Sequence, residues 1–60
     1  MIYVHADIRQ VNRSLWQGWV REHDLHASAP TRRDLLDALA DDLIEQYYGG
    51  GQFAVIVTEC

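Results

Sequence analysis

From Ile2 to Arg9 the chain alternates, with Ile2, Val4, Ala6 and Ile8 falling on one side and Tyr3, His5, Asp7 and Arg9 on the other. A period of two residues is that of a β-strand with one face buried. Asn12, Arg13 and Ser14 supply turn chemistry, after which Leu15 to Glu22 forms a second strand-like run that contains both tryptophans. His23-Asp24 reads as a tight turn and Leu25 to Ala29 as a short third strand. The first half of the chain therefore predicts a three-stranded antiparallel meander.

The period then changes. Thr31, after Pro30 and three residues ahead of Asp34, offers a helix N-cap, and the acidic Asp34 suits the positive end of the helix dipole. At 100° per residue, Leu36, Leu39, Ala40, Leu43 and Tyr47 share one stripe, opposite Asp34, Asp37, Asp41 and Glu45. This predicts a surface helix with one buried face, stopped by Gly49-Gly50-Gly51, where glycine accepts left-handed backbone at no steric cost. Phe53 to Thr58 is an unbroken apolar and β-branched run, the pattern of a strand covered on both faces. The predicted fold is α+β, in the order β-β-β-α-β, with the helix on the sheet and the fourth strand beside the first and parallel to it.

Sixty residues suffice for one domain, residues 1–60, with no internal repeat or linker. A chain this short buries only about 60% of the surface its unfolded form exposes, so the core is thin. Its 48% hydrophobic and 23% charged residues are nevertheless those of a globular protein. Cys60 is the single cysteine, which excludes an intrachain disulfide framework and fits a reducing compartment. The first residues lack a basic stretch followed by an apolar one, and no run approaches the ~20 apolar residues of a membrane span. A cytoplasmic protein without membrane contact is expected. Five Arg, no Lys and nine acidic residues give a net charge of −4, the wrong sign for a counterion-release grip on nucleic acid and the right one for a basic partner.

The segment from Trp16 to Leu43 resembles the N-terminal domain of HicB-type antitoxins, partners of the small RNA-cleaving toxin HicA. Trp16, Gly18 and Val20 match that family's alternating strand, Leu25 and Ala27 its third strand, Thr31 its helix cap, and Leu36, Leu39 and Leu43 its buried helix stripe. The resemblance implies a HicB-like fold, similar to a shrunken ribonuclease H, and a role in capturing a toxin. Operator binding, which belongs to the C-terminal DNA-binding domain of the full-length antitoxins, is not carried over.

A ribonuclease H-like frame invites a search for metal-binding carboxylates, because two-metal hydrolysis needs several acids converging on sites ~4 Å apart. Asp7 is the only acid inside the first strand, while Asp34, Asp37, Asp41 and Glu45 spread along a helix face. His5, His23 and His26 form no ligand motif, Ser14 and Ser28 sit in no nucleophile elbow, and the Gly triplet has no lysine to make a phosphate loop. No enzyme, metal or cofactor is expected.

The remaining signal is surface. If Trp16 points to the helix, Leu15, Gln17 and Trp19 are expected to turn to the other sheet face, beside Tyr3 and Phe53, Val55 and Val57. Exposed apolar patches mark interfaces, and Trp and Tyr are their favoured anchors. The expectation is a non-catalytic antitoxin-like module that forms a homodimer through the open sheet face or an edge strand and neutralises a small basic protein by occlusion. The alternative is an acidic mimic of nucleic acid, like small phage-encoded inhibitors, using Asp34, Asp37, Asp41 and Glu45.

Overall fold

A computed structural model describes residues 2–50 and 52–59. The elements are β1 (Ile2–Asn12), β2 (Leu15–Val20), β3 (Leu25–Ala29), α1 (Arg32–Gln46) and β4 (Phe53–Glu59). They form one four-stranded mixed sheet in the order β3-β2-β1-β4. β1 pairs antiparallel with β2, and β2 with β3. β4 runs parallel to β1, from Ile2 opposite Phe53 to Ile8 opposite Glu59. Since β3 and β4 lie at opposite edges, α1 carries the chain across the whole sheet, as a parallel pairing requires.

The β-β-β-α-β order and the parallel placement of the last strand follow the sequence reading. Two strand ends differ from it. β1 continues past Arg9 to Asn12 through an irregularity between Gln10 and Asn12, and an Asx turn closes it, the Ser14 N–H donating to Asn12 Oδ1 at 2.8 Å. β2 stops at Val20, short of Glu22, because the four residues Arg21 to Asp24 turn the chain. The Arg21 N–H still reaches His5 O at 2.9 Å, but the next β1 donor, the His5 N–H, is taken by the Glu22 carboxylate instead of backbone.

The core lies between α1 and one sheet face. Val4, Ala6 and Ile8 of β1, Val20 of β2, Leu25 and Ala29 of β3, and Leu35, Leu39 and Leu43 of α1 are buried. The helix stripe is thus rotated from the predicted one: Leu35 joins Leu39 and Leu43, Leu36 and Ala40 are half-buried, and Tyr47 is exposed. Gly18 gives the reason. A β-carbon there would lie 2.9 Å from Ile8 Cγ2, 3.1 Å from Leu39 Cδ1 and 3.2 Å from Leu35 Cδ2, so both leucines rest on its bare backbone. The missing side chain lets the helix approach and fixes its rotation.

Thr31 caps α1, its Oγ1 accepting from the Asp34 N–H at 3.1 Å. At the other end the Tyr47 and Tyr48 N–H groups both donate to Leu43 O, and Gly50 takes a positive φ of 75°. Gly51 of the expected glycine stop, and Cys60, lie outside the described residues. Arg32 in the first turn of α1 donates from Nε to Glu59 Oε1 of β4 at 2.6 Å, and Tyr48, just past the helix, stacks on Phe53 of β4 with ring centroids 5.1 Å apart.

β4 departs most from expectation. It is an edge strand, none of its residues is fully buried, and it is not covered on both faces. Phe53, Val55 and Val57 pack against the core, opposite Ile2, Val4 and Ala6, so they belong to the helix side. Their expected place on the open face is corrected: Ala54, Ile56 and Thr58 occupy it.

Candidate functional site

The sheet face away from α1 is covered by no other described element. Alternation and register place there Tyr3, His5, Asp7 and Arg9 of β1, Gln17 and Trp19 of β2, and His26 and Ser28 of β3. Leu15, half-buried, is the neighbour of helix-side Trp16 and falls on the same outer face beyond the irregularity in β1. Of the predicted contact residues, Tyr3, Leu15, Gln17 and Trp19 therefore share a face, and Phe53, Val55 and Val57 do not. Tyr3 is 58% exposed and Trp19 36%.

This face is less apolar than the sequence suggests, because its middle is polar. Asp7 faces Trp19 on β2 and Thr58 on β4, and among the described residues it is the one buried polar side chain. The Arg21 guanidinium donates from Nε to Asp7 Oδ2 and from Nη2 to Oδ1, each at 2.7 Å. Such a two-pronged bond holds the Asp7 carboxyl below its ordinary pKa, more than offsetting the burial that pushes it up. Beside it, Glu22 Oε2 lies 2.5 Å from His5 Nδ1 while Oε1 accepts the His5 N–H at 2.9 Å. An ionised carboxylate only accepts, so Nδ1 carries the proton. These bonds from the His5 ring and backbone lower the Glu22 pKa to about 2.

The two ion pairs split the face. On one side Ile56 and Tyr3 stand exposed; on the other Trp19 sits directly opposite His26 and Gln17 directly opposite Ser28. Over that second half lies an open depression of about 310 Å³, lined by Gln17, Gly18, Trp19, His26, Ala27 and Ser28. His26 and Ser28 were not among the contact residues expected from the sequence, although the period of two in Leu25 to Ala29 puts them opposite the core.

Asp34, Asp37, Asp41 and Glu45 are all exposed along α1. Both oxygens of Asp7 are engaged by Arg21. The histidines are dispersed: His5 binds Glu22, His26 Nε2 lies 3.2 Å from Asp24, and His23 stacks on Tyr47 and shares a 2.8 Å hydrogen bond with the Tyr48 hydroxyl. Among the described residues no group of three or more His, Cys, Asp or Glu side chains could hold a metal ion. No described helix is long and apolar enough to cross a membrane.

No family model, curated protein or solved structure matches this chain.

Proposed function

We propose that the chain is a non-catalytic, antitoxin-like binding module of the HicB-like kind, which neutralises a small basic toxin-like protein in the cytoplasm by stoichiometric occlusion. The observation that carries the reading is Trp19, standing over an open depression on a sheet face left uncovered in a chain with little core to spare. An aromatic ring beside a concavity rimmed by Gln17, His26 and Ser28 is the arrangement of a protein-binding anchor, with apolar area at the centre and hydrogen-bonding groups at the rim. The net charge of −4 selects a basic partner and speeds its encounter.

The residues behind the HicB-like resemblance all serve the frame under that face: Trp16, Gly18, Val20, Leu25, Ala27, Leu36, Leu39 and Leu43 lie in or against the core, and Thr31 caps α1. The test is affinity capture from the native host, identification of the bound protein by mass spectrometry, and reconstitution. A small basic protein bound in equal amount by the wild type, and at least ~10-fold more weakly by Trp19→Ala, supports the reading. Binding that ignores Trp19 refutes it.

The exposed row of Asp34, Asp37, Asp41 and Glu45 favours a second reading, an acidic mimic of nucleic acid that blocks a nucleic-acid-binding protein. Reversing Asp37 and Asp41 to Arg separates the two. It abolishes binding by a mimic and only slows association at the Trp19 face.

A further inference from the structure

We propose that β4 pairs with β4 of a second copy of this chain, antiparallel and centred on Ile56, so that two four-stranded sheets become one of eight. This goes beyond the partner-binding reading and stands whether or not that reading holds.

The two edges of the sheet are built differently. β3 has five residues, turns the polar His26 and Ser28 outward, and runs straight into Pro30. Short length and proline are the devices that keep an edge from pairing. β4 has seven residues, and from Phe53 to Val57 it carries no charge, no proline and no irregularity in its register with β1. It is apolar on both faces: Phe53, Val55 and Val57 on the helix side stay only half-buried, and Ile56 on the other is 43% exposed. A strand open along one side, with apolar side chains above and below it, is completed by another strand and by nothing smaller.

Self-pairing meets that demand with full overlap. When Phe53–Glu59 lies antiparallel to its copy with Ile56 on the two-fold axis, all seven residues find partners: Phe53 faces Glu59, Ala54 faces Thr58, Val55 faces Val57 and Ile56 faces itself. Helix-side residues meet helix-side residues, so both helices stay on one face of the joined sheet and both Trp19 depressions on the other. A parallel arrangement would instead set Glu59 against Glu59. The two-fold contact closes on itself, and the β3 edges remaining at the ends of the eight-stranded sheet are the blunted ones, so growth stops at two.

Sedimentation equilibrium on the whole chain, from low to high micromolar concentration, is the experiment. The wild type should approach twice the 6.9 kDa of one chain. Ile56 is outside the core, so Ile56→Lys and Ile56→Glu should both fold, yet each places like charges face to face on the axis and should weaken dimerisation by about tenfold or more. Mixed in equal amounts, the two variants should form a heterodimer, and Trp19→Ala should leave the wild-type dimer intact. Should neither Ile56 variant fold, hydrogen exchange on the wild type decides: the β4 amides that do not face β1 must gain protection as concentration rises. A wild-type monomer throughout the range, a dimer lost in Trp19→Ala but kept in Ile56→Lys, a mixture that stays monomeric, or β4 amides indifferent to concentration would each overturn the proposal.

Discussion

Arg21, just beyond the end of β2, holds both carboxylate oxygens of Asp7, at the middle of β1, with two bonds of 2.7 Å. The next residue of the turn, Glu22, binds His5, two residues before Asp7 on β1, through its ring and its backbone N–H. The four-residue turn Arg21 to Asp24 is therefore fastened to β1 by two neighbouring side-chain pairs, and both are titratable.

Both carboxyls are depressed when folded, Asp7 from 3.8 by the Arg21 bonds and Glu22 from 4.5 to about 2 by the His5 bonds. A depressed carboxyl binds protons less readily when folded than when unfolded, so stability falls as pH falls. The Glu22 contribution is fully present above 4.5 and lost as pH drops through about 2. Thermal unfolding followed by circular dichroism should show a melting temperature that declines across this window. Glu22→Gln should flatten that decline and leave the melting temperature at neutral pH lower than the wild type's.

Gly18 sets the distance between helix and sheet. Gly18→Ala puts a methyl group 2.9 Å from Ile8 and little farther from two leucines, an overpacking that costs about 1–3 kcal/mol. Gly18→Val should cost more, since its added methyls have no free direction. Urea unfolding measures both. A Gly18→Ala variant as stable as the wild type would mean that α1 rides easily away from the sheet.

Thr31→Ala removes the acceptor of the Asp34 N–H and should cost about 1 kcal/mol, the ordinary value of an N-cap. Thr31→Asp keeps an acceptor and adds charge at the positive end of the helix, so it should recover most of the loss. The same urea titration distinguishes them.

The cap was legible in the sequence because it is local: Thr31 and Asp34 lie within one turn of each other. The same holds for β3, bounded as expected by Leu25 and Ala29, and for the buried Val4, Ala6 and Ile8, which alternate with polar neighbours. The phase of β4 was not legible. Its residues are apolar on both faces, so periodicity could not say whether Phe53 or Ala54 turns inward, and only its register with Val4 and Ala6 decides. Adjacent Leu35 and Leu36 left the helix rotation open in the same way until Gly18, far away in sequence, was placed beneath it. The Asp7–Arg21 pair depends on the register that sets Asp7 opposite Trp19, and with it the polar belt that divides the outer face.

The geometry around Asp7 also bears on chemistry. With both oxygens held by Arg21 and the helix carboxylates exposed on α1, added magnesium or manganese should elicit no cleavage of RNA or DNA by the purified chain. Cleavage that appears with metal and vanishes in Asp7→Asn would contradict this.

The two tryptophans of β2, three residues apart and on opposite faces, separate folding from recognition within one strand. Trp16 packs against the core, whereas Trp19 stands 36% exposed opposite His26. Trp16→Ala removes ring contacts from a core with few to lose, and should cost about 3 kcal/mol, the lower part of the range for buried aromatics because Trp16 is only half-buried. That is a large share of the stability a domain this small can have, so the variant should be partly unfolded at ambient temperature. Trp19→Ala gives up contacts with Asp7 and His26 across the strands but opens no cavity in the core, and should cost about 1 kcal/mol or less. Fluorescence during urea unfolding reads each variant through the tryptophan that remains. In Trp19→Ala the emission of Trp16 should shift to the red in one cooperative transition close to the wild-type midpoint. If instead Trp19→Ala unfolds as readily as Trp16→Ala, the outer tryptophan is a structural element of the sheet, and the depression beside it is no recognition site.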